Sequence, residues 1–408
     1  MHELVQSLFD DILGRIRRDK AVVYFLPQPC RIGQLVMEMF WLASVYPPED
    51  QQLIVVVPDT PDTDAAINPA AFRAAMRHVD VLMPDSLDKR RLAVTLAWSG
   101  IDGRFIEDFS LSGATVKVIF GLGALVIRQQ FLHWYVDTRQ CRFFTLDGEE
   151  EAEGRRLMQA LRIDPDAEIV ALHARDSGYI NAQHLDFRNA AIGNYVPAVE
   201  FLLREGYTVV RMGDPSMRPL PLSHPRLIDA PFNTAYERHG DVYFTARSAF
   251  MVHTLSGPTS LAFAYGRPGL ASNATPYYCG LSVDDLLLPK RVRRLDDHRP
   301  LSLQELAQTG LIKSGQAKVF ENAGVYLEEC SPDALLAGVE EMHRRHRGAF
   351  APSLACALAN ARFRTAATLI DTEFRRNAHL ERNWENFYGA AAGIDLAEAF
   401  LQQQPDFI

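Results

Sequence analysis

Four short polar clusters carry the residue types that chemistry on a phosphorylated ligand requires. The first, His173-Ala174-Arg175-Asp176-Ser177-Gly178-Tyr179, packs an imidazole, a guanidinium and a carboxylate into one turn after the apolar run Ile169–Leu172. A guanidinium offers a planar fork of N–H donors that matches phosphate oxygens two at a time, and the neighbouring carboxylate either orients that fork or takes a proton. A solvated ion pair beside a satisfied strand-end histidine would use the same residues. The cluster leads into Asp186-Phe187-Arg188-Asn189 before a helix that contains Tyr195. A polar connection of that length between strand and helix is more often functional than idle.

The second cluster, Gly213-Asp214-Pro215-Ser216, follows the run Thr208–Met212. Such a turn sets Asp214 or backbone amides at a cleft, or Asp214 caps its own backbone. The third, Ser256-Gly257-Pro258-Thr259-Ser260, separates the run Phe250–Thr254 from a helical segment. Glycine admits a close ligand, proline suits a first helical turn, and the unpaired amides of a helix start attract phosphate. An ordinary N-cap explains these residues too. In the fourth, Asn273–Tyr278, the rings of Tyr277 and Tyr278 either stack on a base or sugar or belong to the core.

In the first half of the chain, Arg31-Ile32-Gly33 forms a small-residue turn ahead of a helix starting at Gln34. It would let an acceptor or a diphosphate approach the sheet edge. Gly-x-Gly-x-x-Gly, Gly-x-x-x-x-Gly-Lys and Gly-x-Ser-x-Gly runs are absent, which argues against a dinucleotide fingerprint, a P-loop and a hydrolase elbow. Asp62-Thr63-Asp64 has the spacing of a metal-binding carboxylate pair. Pro58, Pro61 and Pro69 set it in a solvated loop of the wrong half, so no metal and no other cofactor is expected.

Ligands of open parallel sheets lie beyond the carboxyl ends of the strands, so the elements behind these clusters decide whether they meet. Ala21–Leu26, Gln34–Ser44, Leu53–Val57 and Ala70–Arg77 alternate strand and helix, the pattern of βαβ units. Val55-Val56-Val57 is unbroken, as in a strand covered on both faces. The alternation restarts after Asp147–Arg156, with strands at Ile169–His173, Tyr207–Met212, Phe250–Thr254 and Gly269–Ser272 and helices at Tyr195–Arg204 and Thr259–Tyr265. The predicted fold class is α/β, with doubly wound Rossmann-like domains over residues 1–147 and 148–350. Residues 351–408, rich in Ala and Arg, are predicted to form a helical tail packed across them.

The 408 residues, 48% hydrophobic and 23% charged, suit a globular protein of two domains. A net charge of −9 argues against nucleic acid as a partner. Cys30, Cys141, Cys279, Cys330 and Cys356 are scattered, with no Cys-x-x-Cys pair, which fits a reducing compartment. Met1–Lys20 reads as an amphipathic helix, not a secretory signal, and no apolar run approaches the ~20 residues of a membrane span. A cytoplasmic protein, soluble or at most peripheral at a membrane, is expected.

The stretch from His173 to Pro289 resembles a family of glycosyltransferases from bacterial surface-polysaccharide and lipopolysaccharide gene clusters. The resemblance rests on His173-Ala174-Arg175-Asp176-Ser177, Asp186-Phe187-Arg188-Asn189-Ala190 with Asn194-Tyr195, Val210 to Met217, and Ser256-Gly257-Pro258. Arg31-Ile32-Gly33, Phe400-Leu401 and Pro405-Asp406-Phe407 extend it. It implies the GT-B architecture of two facing domains, similar to heptosyltransferases and protein fucosyltransferases, with a nucleotide-sugar donor held by the second domain.

On that basis the donor site is expected at Arg175, Arg188, Gly213, Asp214, Ser256, Gly257, Thr259 and Ser260, and the acceptor side at Arg31, Gly33 and Gln34. Asp176 or His173 supplies the base if it faces the cleft; otherwise the first domain does. No metal is needed where amides and basic side chains neutralise the departing diphosphate. The acceptor would be a glycan or a lipid-linked hydroxyl compound, the latter drawing the protein to the inner face of the cell membrane, and the reading admits a homodimer. Gln34 stands where the family commonly has histidine, and Thr259 and Ser260 replace more apolar residues. Two rivals remain open: a sugar-nucleotide epimerase of the same build, and a noncatalytic nucleotide-sugar-binding protein.

Overall fold

Apolar runs too continuous to face water become strands with helices on both sides. The computed structural model describes residues 2–58, 67–99, 106–111, 113–120, 123–178, 183–275, 285–314, 316–377 and 394–408. The chain divides into two units, Met1–Thr145 and Leu146–Ile408.

The first unit runs α1 (His2–Leu13), β1 (Lys20–Phe25), α2 (Ile32–Val45), β2 (Gln52–Val56), α3 (Pro69–Ala75), β3 (Asp80–Leu82), α4 (Leu87–Trp98), β4 (Ile106–Leu111), β5 (Ala114–Ile119) and α5 (Gly123–Thr138). Its sheet has the order β3-β2-β1-β5-β4, with β4 antiparallel at the edge. Side chains alternate across a strand. Ala21, Val23 and Phe25 of β1 therefore bury against Leu8, Ile12, Ala93 and Ala97 of α1 and α4, while Tyr24 turns to the opposite face and meets α2. The helix α2 begins at Ile32, so Ile32, Gly33 and Gln34 lie in its first turn, after the cap residue Arg31.

The second unit opens on a capping box. The Asp147 side chain accepts from the amides of Glu149 and Glu150, and Glu150 returns a bond to the Asp147 amide, an arrangement that stabilises a helix start by about 1 kcal/mol. The order is then α6 (Gly148–Ala160), β6 (Ile169–His173), α7 (Val196–Arg204), β7 (Thr208–Arg211), β8 (Leu227–Asp229), α8 (Gly240–Arg247), β9 (Ser248–His253), α9 (Thr259–Ala264), β10 (Gly269–Ala274), β11 (Leu286–Pro289) and β12 (Arg291–Arg294). It ends with α10 (Leu303–Gln308), α11 (Ala317–Asn322), β13 (Val325–Glu328), α12 (Pro332–His346), α13 (Leu354–Asn377), β14 (Asp395–Leu396) and α14 (Glu398–Gln403).

Seven parallel strands lie in the order β14-β11-β10-β9-β6-β7-β8. Val170, Leu172, Phe250 and Val252 point into a core shared with α7, α12 and α13. Ile169, Ala171 and Met251 point into the other, with Leu157 and Met158 of α6 and Tyr243 and Phe244 of α8. The two layers make the unit doubly wound. Residues 351–408 belong to it: Cys356, Phe363, Phe400 and Phe407 bury in the α7 and α12 core. They also supply β14, paired with β11, where the Ala- and Arg-rich sequence predicts helix alone.

Candidate functional site

Strand order reverses in the second sheet between β6 and β9, because β7 and β8 extend one side and β10, β11 and β14 the other. A reversal opens a crevice beyond the carboxyl ends of the two strands, the usual place for a ligand. His173 and His253, the last residues of β6 and β9, share one rung of the ladder. Beyond them the two loops are stitched together. The Thr254 amide donates to the His173 carbonyl at 2.9 Å, and the Arg175 amide donates to Thr254 Oγ1 at 2.9 Å.

Residues 186–190 lie as a strap over these strand ends. Arg188 donates Nε to the Leu255 carbonyl at 2.9 Å, with Nη2 on the same oxygen. The Ala190 amide donates to the Arg175 carbonyl at 2.9 Å, and Thr275 Oγ1, after β10, donates to the Phe187 carbonyl at 3.3 Å. Asn189 holds two cations: its Oδ1 accepts from Arg175 Nε at 3.1 Å, and its backbone carbonyl accepts from Lys290 Nζ at 2.6 Å. Arg175 and Lys290 are only 5% and 4% exposed. Burial pulls the Lys290 ammonium below the usual lysine range, against the Glu329 carboxylate 4.0 Å away. The strap thus gathers Arg175, Arg188 and Lys290 from separate parts of the sequence at the reversal.

The two expected proton acceptors are otherwise engaged. His173 is buried, and its Nδ1 lies 3.2 Å from the Met212 carbonyl. A carbonyl only accepts, so Nδ1 carries the proton, and Nε2 is left buried without a partner among the described residues. Burial pushes its pKa down to about 4, opposed by the Met212 carbonyl and aided by the charges of Arg211, Arg175 and Arg188. His253 is pushed to about 3 by burial and by the neighbouring His173. The Asp176 carboxylate accepts the Gly178 amide at 2.8 Å and, on its other oxygen, the Arg218 amide at 2.8 Å. It fastens the loop after β6 to the loop after β7. A Cβ on Gly178 would stand 2.1 Å from the Ser216 carbonyl oxygen, so only glycine admits this contact.

Asp214 closes its own turn, with Oδ1 accepting the Ser216 amide at 3.0 Å and the Ser216 hydroxyl at 2.7 Å. Gly213 makes room for Met217, whose sulfur a Cβ would meet at 2.8 Å. In the third cluster, Ser256 donates its amide to Thr259 Oγ1 at 3.4 Å, and that hydroxyl donates to the Thr254 carbonyl at 3.1 Å. The amides of Thr259 and Ser260 turn onto Ser256 and Gly257 carbonyls at 3.2 and 3.1 Å. Thr259 and Ser260 are buried, and Ser256 and Gly257 half-buried at the crevice. The structure therefore brings Arg175, Arg188, Ser256 and Gly257 together and leaves Gly213 and Asp214 in a turn beyond β7.

In the first unit, strand order reverses between β1 and β5. Arg31 and Gln34, both exposed, and the half-buried Gly33 follow β1 there. One helical turn beyond Gln34 lies a residue the sequence reading passed over. Glu38 is fully buried, and its Oε2 accepts the Tyr24 hydroxyl at 2.6 Å. Its Oε1 has no partner among the described residues, and burial lifts its pKa to about 8, against the Tyr24 bond. The signal was a lone carboxylate inside the apolar run Leu35–Leu42. Lys290 was also missed, although it directly ends the run Leu286–Pro289.

Asp62, Asp64, Tyr179, Tyr277 and Tyr278 lie outside the described residues. A groove of about 390 Å³ on α13, lined by Ala361, Arg364, Thr365, Thr368 and Leu369, holds no proton-transfer group and is no part of the strand-end constellation. Among the described residues no helix is long and apolar enough to cross a membrane.

No family model matches the chain, and no curated protein does. Among solved structures it is similar to a glycosyl transferase of family 9 from Veillonella parvula, at 10% identity, over 66% of this chain and 85% of that one, with a TM-score of 0.39. It is similar to the ADP-heptose LPS heptosyltransferase II of E. coli at 13% identity, over 66% and 89% of the two chains, with a TM-score of 0.37. A third likeness is to the wall teichoic acid polymerase TagF, at 10% identity, over 66% and 78%, with a TM-score of 0.26.

Proposed function

We propose that this chain is a GT-B glycosyltransferase that moves a sugar from a nucleotide-sugar donor to a glycan or other hydroxyl acceptor, without a metal, in bacterial surface-polysaccharide synthesis. The observation that carries the reading is the convergence of Arg175 and Arg188 on the β6–β9 reversal, beside the Ser256–Gly257 turn. Guanidinium groups in a water-poor crevice stabilise negative charge that develops on a leaving phosphate. The motif runs that carry the family resemblance are the same residues.

In the reaction the acceptor oxygen bonds to the anomeric carbon as the bond from that carbon to the phosphate oxygen breaks. The electron pair leaves on the nucleotide, where Arg175 and Arg188 meet it. The hydroxyl proton goes to a base. His173 has its pKa near 4 and Asp176 already accepts two amides, so neither is assigned as that base. The acceptor is a glycan or lipid-linked compound, met in the cytoplasm or at the inner membrane face.

The same two observations on His173 and Asp176 favour one rival, a protein that binds nucleotide-sugar without turning it over. The test is nucleotide release from UDP-, GDP-, ADP-, dTDP- and CMP-sugars, with and without glycan acceptors and with a chelator present. Acceptor-dependent release that survives the chelator supports the transferase. Donor binding with no release on any acceptor supports the binder.

A further inference from the structure

A surface helix ordinarily turns apolar residues inward and charged residues outward, and α13 keeps only the first half of that rule. Cys356, Asn360, Phe363 and Ala367 are buried on its inner face. Asn360 fixes the helix to β14, accepting the Leu396 amide at 2.8 Å and donating to the Leu396 carbonyl at 3.1 Å. The opposite face carries Leu354, Leu358 and Leu369, exposed by 76%, 55% and 65%, which are three of the four most exposed large apolar side chains among the described residues. Residues 354–369 contain no Asp or Glu, in a chain whose net charge is −9. A molecule with that excess of acid repels its own copies, and this face adds nothing to the repulsion.

The outward positions 354, 358, 361, 365 and 368 alternate steps of four and three, the spacing of a seam between paired helices. Along that seam the large residues come first, Leu354 and Leu358, and the small ones follow, Ala361, Thr365 and Thr368. Thr365 donates its hydroxyl to the Ala361 carbonyl at 2.9 Å, and Thr368 donates to the Arg364 carbonyl at 2.8 Å. Both threonines therefore offer a neighbour their methyl groups. Arg364 spends its charge on Asp395. What remains is the groove of about 390 Å³ over Ala361, Thr365 and Thr368, with two leucines one and two turns away. Turned end for end about Ala361, the seam complements itself: position 354 falls opposite 368, and 358 opposite 365 to within one residue rise of ~1.5 Å.

We propose that the exposed face of α13 is a contact between two copies of this chain, an isologous antiparallel helix pair in which Leu354 and Leu358 of each copy fill the groove over Ala361, Thr365 and Thr368 of the other. Residues 354–369 span about 24 Å, so the helix pair alone buries less than roughly 1,200 Å² and makes a weak dimer, in the micromolar range. The exposed Arg362 side chains of the two copies come to one side of the pair, so apolar burial drives the contact against a mild like-charge repulsion. The strand behind α13, β14, lies three strands from β9. Pairing there leaves the β6–β9 crevice open and is independent of the transferase reading.

Sedimentation velocity on the full chain from about 1 to 100 µM measures the pairing. The average mass is expected to rise toward that of a dimer and to be unchanged or larger when salt goes from about 0.05 to 0.5 M. Leu358→Glu is expected to stay monomeric over the whole range. A wild type that is monomeric at the highest concentration overturns the proposal. So does a Leu358→Glu variant that pairs like the wild type, or pairing that salt weakens, since the contact would then lie elsewhere or be led by charge.

Cysteine cross-linking checks the register and decides the matter if Leu358→Glu fails to fold. Ala361→Cys stands on the two-fold axis and is expected to give a disulfide-linked dimer under mild oxidation. Ala355→Cys is not, because its two copies would lie about 18 Å apart along the pair, and the native cysteines are common to both variants. Equal cross-linking of the two, or none, overturns the antiparallel pair. Phosphatidylglycerol vesicles test a lipid occupant: binding by a monomeric wild type that Leu358→Glu abolishes would make the face a membrane contact and overturn the proposal.

Discussion

His173 and His253 end neighbouring parallel strands on one rung, each imidazole almost wholly buried and each held neutral by that burial. A group whose folded pKa lies below its unfolded value favours folding at high pH and loses that contribution as pH falls through the window between the two values. For His173 the window runs from about 6.5 down to about 4. Asp241 opposes it in the same unit, since burial raises its carboxyl to about 6, so the bare stability curve mixes signs. The difference between wild type and His173→Asn isolates the effect. Across that window the variant's stability should fall less steeply with acid, by about 1.4 kcal/mol per pH unit at most. Urea melts at half-unit pH steps measure this, and parallel curves would mean that His173 titrates normally.

Glu38 gives the opposite sign. Its carboxyl is raised to about 8 from 4.5, so its contribution is complete below pH 4.5 and is lost as pH rises to about 8. Glu38→Gln keeps a neutral acceptor for the Tyr24 hydroxyl and cannot ionise. Relative to wild type the variant should gain stability between pH 5 and pH 8, by several kcal/mol if the whole shift is expressed. A difference independent of pH would show that Glu38 is ionised in the folded protein.

Asp176→Asn separates a base from a fastener. The amide side chain keeps one acceptor oxygen for the two amides that Asp176 now serves. The expected result is a loss of about 1 kcal/mol of stability with turnover, on whichever donor is active, reduced less than tenfold. A fall of about a thousandfold with folding intact would identify Asp176 as the base.

Gly154 tests the packing of α6 on α8. A Cβ there would stand 2.0 Å from the Tyr243 ring, whereas one on Gly148, in the same helix, meets nothing within 4 Å. Gly154→Ala should destabilise by roughly 1–3 kcal/mol through overpacking, and Gly148→Ala by less than about 0.5 kcal/mol. Equal effects in denaturant melts would refute the close approach.

Much of this was legible in the sequence, for identifiable reasons. The strand Ile169–His173 was read with its observed limits because an apolar run ends abruptly in charge. The loops that follow β6 and β9 were found because parallel sheets place ligands there. The ribbon of β12 and β13 was not, since Arg291–Arg294 is a charged strand paired only with its partner. β14 is two residues long and gains its identity from β11, a contact no local pattern announces. Lys290 and Asn189 were missed as a pair because 101 positions separate them. Turn-closing and catalytic carboxylates are the same residue type, so the amide bonds that Asp176 and Asp214 accept were not legible in the sequence.

The central claim is that the β6–β9 crevice binds the phosphates of a nucleotide-sugar through Arg175. Its most direct test is a thermal-shift panel of UDP-, GDP-, ADP-, dTDP- and CMP-sugars on wild type and Arg175→Ala. A ligand at ~100 times its dissociation constant stabilises by roughly 2.7 kcal/mol. The account predicts that one nucleotide class raises the midpoint and that the substitution abolishes the rise. A panel in which no nucleotide-sugar shifts the wild type, or in which Arg175→Ala responds like the wild type, would contradict it.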